Sequence, residues 1–214
     1  MSVVTADTNN HHGELKPGHY HHWEPETAYH GSKFALWIFL ATEVHLFGVL
    51  FCSFAYFRWK YLDDFNNFAS HLNWKLGAFN TAVLLTSSYT MVRAVDAAQK
   101  GMNKAVMRWL EATILCSFIF LVVKYIEYTD KFSHGIFPSK HIFYGLYFTM
   151  TGLHGVHVLG GIVVICWIWN LARKNRFSET YYTPVEMVGL YWHLVDIVWI
   201  YLFPIVYLLG GIHI

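Results

Sequence analysis

The amino-acid sequence predicts an all-α fold: a multi-pass membrane protein with five transmembrane helices in one bundle. Three observations predict it. Of 214 residues, 55% are hydrophobic and only 14% charged, where a soluble domain carries roughly 25% charged residues. Five apolar segments follow one another, each of the roughly 17–25 residues that cross a hydrocarbon core as a helix. Aromatic residues gather near the segment ends, with Trp59, Trp74, Trp109, Tyr125, Tyr128, Trp167, Trp169, Tyr181 and Tyr182 placed as an interfacial belt.

A polar tail, residues 1–33, comes first. His11, His12, His19, His21, His22 and His30 fall in it, so metal binding and a plain solvated tail both stand as readings. It holds no apolar stretch of signal-peptide length, so the first helix is expected to direct insertion. Helices are predicted over about 34–57, 76–92, 105–128, 142–169 and 188–209, as one domain from 34 to 210. Arg108, Glu111, Lys124 and Glu127 crowd the ends of the third. The fourth carries no charge and the fifth carries only Asp196. Pro204 removes a backbone donor and should kink the fifth helix in its outer third. Short connections make neighbouring helices antiparallel. Nine of the fifteen Lys and Arg residues then share the side of the tail, which predicts a cytoplasmic N-terminus and a periplasmic C-terminus. A net charge of +1 gives no reason to expect nucleic acid. Cys52, Cys116 and Cys166 lie in apolar runs without metal or disulfide spacing, and are read as small core residues.

Glu43 is the residue that asks for a chemical explanation. It lies in FLATEVHLFGVLF, where a central charge costs roughly 2.5–3.5 kcal/mol to insert. Ala41, His45, Gly48, Cys52 and Ala55 form a small-residue stripe suited to close approach of a neighbouring helix. Glu43 stands about 200° from Ala41 and His45, on a face with Phe39, Leu46, Phe47 and Leu50. A functional carboxyl and a structural hydrogen bond are both open. On the second helix, Asn80 with Ser87 and Thr81 with Ser88 recur at helix-packing spacing, worth about 0.6 kcal/mol each. On the fourth, His154, His157 and Gly161 share one face, and Gly145, Thr149 and Gly152 another. The two histidines at i, i+3 suit a metal, but the Glu-x-x-His pairs of di-iron bundles are missing. Packing hydrogen bonds are therefore expected, and no metal site or catalytic residue is assigned. On the fifth helix, His193 and Asp196 share a face as a relay or a structural pair.

EVHLF, FNTAVLLTSS, TGLHGVHVLGG and YWHLVDIVWIYLF, in this order, resemble subunit III of the haem-copper terminal oxidases, over nearly all of the chain outside the tail. The resemblance is to the short bacterial form, without the first two helices of the seven-helix version. It implies an accessory subunit of the bacterial cytoplasmic membrane that binds no haem or copper itself. Those cofactors would sit in partner subunits. This chain would pack on subunit I, with other oxidase subunits and a larger respiratory assembly as further partners, and would hold phospholipid in a cleft. It also implies that Glu43 is the family's buried carboxylate and supports proton uptake into subunit I, looking across a lipid- or subunit-lined groove. Glu127 in YIEY, His154, His157, His193 and Asp196 match further family positions. Two departures stand out. His45 replaces an apolar residue, and Lys124 replaces an uncharged polar one, where it can pair with Glu127 or Tyr128.

Three other functions compete. An accessory subunit of a nitric oxide reductase would look the same in this chain. A stand-alone proton or metal-ion transporter would use Glu43, His154, His157 and Asp196 as a path, but the internal repeat common in transporters is missing. A membrane di-metal enzyme lacks its carboxylate–histidine pairs.

Overall fold

The computed structural model describes residues 25–70 and 72–208, so tail histidines His11 to His22 lie outside the described residues. Within them run α1 (Pro25–Lys60), α2 (Leu62–Ser70), α3 (Trp74–Gln99), α4 (Asn103–Ser133), α5 (Ile142–Arg173) and α6 (Thr183–Phe203). A π-helical turn, Pro204–Leu208, continues α6. It begins at the proline, whose missing N–H breaks the i→i−4 ladder and lets the bonding register widen.

The long helices outrun the apolar segments that predict them. Hydropathy marks only the part suited to hydrocarbon, whereas the backbone keeps its internal bonds beyond it. The largest correction is at α1, which starts at Pro25 rather than at Phe34. Its first turns belong to the polar tail by composition. They are held by Lys33, whose Nζ lies 3.0 Å from Glu186 on α6 and 4.4 Å above the Tyr29 ring. The Asn73 side chain accepts from the Lys75 and Leu76 amides at the start of α3. The His141 ring accepts from the Phe143 amide at the start of α5.

Four of the helices, α1, α4, α5 and α6, are long and apolar enough to cross a membrane. At 26 residues α3 is about 39 Å long, but Asn80, Thr81, Thr86, Ser87, Ser88 and Thr90 make it too polar by that measure. Composition thus supports four of the five predicted spans. The first loop, read as a plain connection, contains α2. An apolar window long enough to find a span averages this nine-residue helix away. Phe65 and Ala69 on its inner face are buried, with the Phe65 ring 5.3 Å from Phe54 and 5.2 Å from Phe143. Asp63 and Asp64 occupy its first turn, where the helix dipole favours acids.

The core lies among α3, α4, α5 and α6. Buried Ala94, Ala97 and Ala98 let α3 lie close to α4. Polar side chains of α3 turn inward. Thr90 meets Thr113 at 2.8 Å, Ser87 accepts from Trp192 Nε1 at 3.1 Å, and Thr81 accepts from Trp199 Nε1 at 3.1 Å. Asn80 donates to the Phe120 carbonyl at 3.5 Å. Among the described glycines Gly161 is held tightly, since an added Cβ would stand 2.6 Å from the Trp192 ring. Gly145 and Gly152 face looser surroundings, 3.3 Å from the Pro138 carbonyl and 3.8 Å from the Tyr128 hydroxyl for the same added atom.

Helix α1 lies against α5 and α6 and buries mainly Leu40, Phe47 and Phe54. The stripe of Ala41, His45, Gly48, Cys52 and Ala55 points the other way. No other group comes within 4 Å of a Cβ built on Gly48, and Ala41, His45, Cys52 and Ala55 are exposed. The expectation that this stripe meets another helix of the chain is therefore corrected. So is the reading of the cysteines as core residues, since Cys52 and Cys166 are exposed and only Cys116 is half-buried. The reason is common to both. In a membrane the outer face is as apolar as the core, so apolar sequence neighbours do not signal an inward direction.

Candidate functional site

Glu43 lies on α1 and His157 on α5, each near the middle of its span. His157 Nε2 is 2.8 Å from Glu43 Oε2, with both side chains about 15% exposed. The other ring nitrogen decides the protonation logic. His157 Nδ1 is 2.8 Å from the Leu153 carbonyl. A carbonyl cannot donate, so Nδ1 carries a proton. The bond between Nε2 and Oε2 then needs a proton of its own, held either by the ring as imidazolium or by the acid as carboxyl. The pair is a one-proton clamp at mid-depth. Phe47 packs edge-on to the His157 ring at 5.2 Å, and Tyr191 of α6 donates to the His157 carbonyl at 3.0 Å.

Glu43 and Phe47 thus turn into the chain, whereas Phe39 and Leu46 of the same predicted face are exposed. Sequence periodicity placed Glu43 away from His45 but could not identify His157 as its partner. His45 bonds its own helix, with Nδ1 2.8 Å from the Ala41 carbonyl, and lines an open apolar groove on the outer side of α1.

His154 and His157 share a helix face yet have different surroundings. His154 is buried, 5.5 Å from the Phe120 ring and 5.2 Å from the Trp199 ring, and neither of its nitrogens has a hydrogen-bond partner among the described residues. His193 and Asp196 do not bond each other. His193 Nδ1 lies 2.9 Å from Ser88 Oγ. Asp196 is buried with neither oxygen hydrogen-bonded among the described residues. No three His, Cys, Asp or Glu side chains among them converge as metal ligands.

A second polar centre joins α4, α5 and the π-turn. Lys124 Nζ donates to Glu127 Oε2 at 2.9 Å, to the Tyr207 hydroxyl at 2.8 Å and to the Tyr147 hydroxyl at 3.3 Å. Glu127 Oε1 accepts from Tyr147 at 2.9 Å and from Tyr207 at 2.7 Å. All three ammonium protons have acceptors. The pairing of Lys124 with Glu127 was legible from their i, i+3 spacing. Tyr147 and Tyr207 were not, because they arrive from other elements.

The fold and these centres define a multi-pass membrane protein that keeps acids and their partners inside an apolar bundle. The family profile of cytochrome c oxidase subunit III matches residues 14–211. The chain is 32% identical over 170 residues to a probable cytochrome c oxidase subunit 3 of Nocardia farcinica, covering 79% of this chain and 84% of that one. It is 33% identical over 172 residues to the cytochrome c oxidase subunit 3 of Corynebacterium diphtheriae, with the same coverage. It is 28% identical over 216 residues to a probable quinol oxidase subunit 3 of Staphylococcus aureus, covering 98% of this chain and 96% of that one. The chain belongs to the cytochrome c oxidase subunit III family, within the haem-copper oxidases.

Proposed function

We propose that this chain is the accessory subunit III of an oxygen-reducing haem-copper oxidase of the bacterial cytoplasmic membrane. In this reading all five long helices cross the bilayer, with the N-terminus cytoplasmic. Helix α3 crosses as well because Thr81, Ser87, Ser88 and Thr90 are bonded to neighbouring helices and exposed Thr86 bonds its own backbone. The chain packs on subunit I, which with other partners carries the haem and copper, and it sustains proton uptake there. The observation that carries the proton role is the Glu43–His157 pair. It can hand its proton between acid and base with no change in hydrogen-bond geometry, and it sits where water is scarce. The outer groove of α1, a cavity of about 570 Å³ lined by Val44, Gly48, Val49, Cys52, Tyr56 and Phe57 among others, suits a phospholipid chain or a face of another subunit. The relatives named as oxidase subunits favour this reading over a reductase accessory subunit or a free-standing transporter.

Glu43→Gln in the purified complex tests it. The amide can still donate to His157 Nε2, so assembly and the first turnovers should match the parent. The exchangeable proton is gone, so the number of turnovers before inactivation should fall several-fold. A complex with unchanged initial rate and unchanged endurance would remove the proton role.

A further inference from the structure

Asp196 lies about 20 Å along α6 from its start at Thr183, at mid-span. It is 3% exposed, and neither oxygen has a hydrogen-bond partner among the described residues. No ion pair reaches it among the described residues. An unpaired carboxylate so placed is strongly disfavoured, and a bound proton removes that cost. Ser88 of α3 stands on this side of α6, because it bonds His193 one turn from Asp196, and it does not hydrogen-bond Asp196 at this geometry.

Ser88 is also the partner of His193, at 2.9 Å. The His193 ring is half-buried and lines a cavity of about 300 Å³ between α3 and α6, together with Asp96, Gln99, Glu186 and Gly189. Asp96 is paired with Lys100 and Glu186 with Lys33, yet Glu186 Oε2 is buried without a hydrogen bond. A second apolar cavity on the α1 side brings His45 to the same histidine. The titratable groups facing His193 are therefore Asp96 and Glu186 on one side and His45 on the other.

We propose that Asp196 is a proton-exchange site at mid-depth, filled and emptied through Ser88 and His193 from the acid-rimmed cavity between α3 and α6. One proton moves in three linked transfers. The His193 ring gains a proton at Nε2 from the cavity and gives its Nδ1 proton to Ser88 Oγ. Ser88 gives its own hydroxyl proton to the Asp196 carboxylate. Rotation of the serine hydroxymethyl, a fast side-chain motion, closes the gap to Asp196. The return of a proton from Nε2 to Nδ1 resets the ring. This site is separate from the Glu43–His157 pair. Tyr191, which bonds His157, lies about 140° around α6 from Asp196, so the two sites occupy different sides of one helix.

Infrared difference spectra of the purified oxidase complex, parent against Asp196→Asn, test the proposal. A carboxylic C=O band should be present at neutral pH in the parent, absent in the variant, and shifted on transfer to D2O. Ser88→Ala and His193→Phe should slow that shift by at least about tenfold while leaving the band in place. If Asp196→Asn does not assemble, Asp196→Glu assigns the band by moving its frequency. A missing carboxylic band, or a shift rate indifferent to Ser88 and His193, overturns the proposal. Neither result bears on Glu43, whose test reads endurance of turnover.

Discussion

Lys124→Ala will lower the stability of the subunit by about 3–5 kcal/mol, the cost of leaving a buried charge without its partner. Lys124 and Glu127 have side chains only 9% and 4% exposed. With the ammonium removed, Glu127 keeps two phenol donors and the charge of Lys131 one turn along α4, which makes no ion-pair contact with it among the described residues. Lys131 is itself buried, with its Nζ 5.4 Å from the Tyr147 ring. Glu127→Ala should cost a similar amount, for the opposite charge. Replacing both, Lys124→Met with Glu127→Leu, should return stability to within about 1 kcal/mol of the parent, because an apolar pair has no desolvation penalty. The two phenols then still reach each other at 3.4 Å. Thermal denaturation of the purified chain in detergent gives all four values of the cycle. If the double variant loses as much as the two singles added together, the groups are uncoupled and the paired-charge account fails.

The second large effect is expected at Gly161. A methyl group there would stand 2.6 Å and 2.9 Å from two atoms of the Trp192 ring, and Trp192 is wholly buried. The ring has nowhere to go without releasing its 3.1 Å bond to Ser87. Overpacking of this kind costs about 1–3 kcal/mol, more than the roughly 1 kcal/mol that alanine gains over glycine in a helix. Gly161→Ala should therefore lower the denaturation temperature, and Gly161→Val should lower it further. Gly155→Ala is the control on the same helix, since nothing lies within 4 Å of its added Cβ. It should be neutral or mildly stabilising. Adding Trp192→Phe to Gly161→Ala should recover part of the loss. Equal behaviour of Gly155 and Gly161 would show that helices α5 and α6 are not fixed by this contact.

Both effects arise where helices meet, which is also where the sequence was hardest to read. Lys124 and Glu127 are three residues apart on one helix, so their encounter is local and legible. Tyr207 joins them from the π-turn that Pro204 opens at the end of α6, some eighty residues away in the chain. Gly161 lay in a glycine-rich run, TGLHGVHVLGG, in which Gly155 and Gly160 look equally suited to a helix contact. For them, a Cβ would meet nothing within 4 Å or only the Tyr191 hydroxyl at 3.9 Å.

Sequence alone determined the class, the order of the long helices, the family and the positions of the titratable groups. These follow from composition, segment length and motif order, which are properties of the linear chain. The partner of each group was decided by tertiary structure. Glu43 met His157 rather than a residue of its own helix, and His193 met Ser88 rather than Asp196. The small-residue stripe of α1 faced outward rather than into the bundle. The physical reason is that a helical period specifies which residues share a face, not what that face meets. In water, the hydrophobic face answers that second question by pointing to the core. In a membrane, lipid and core are both apolar, so the inward direction is set instead by small residues that fit and by polar groups that find a partner.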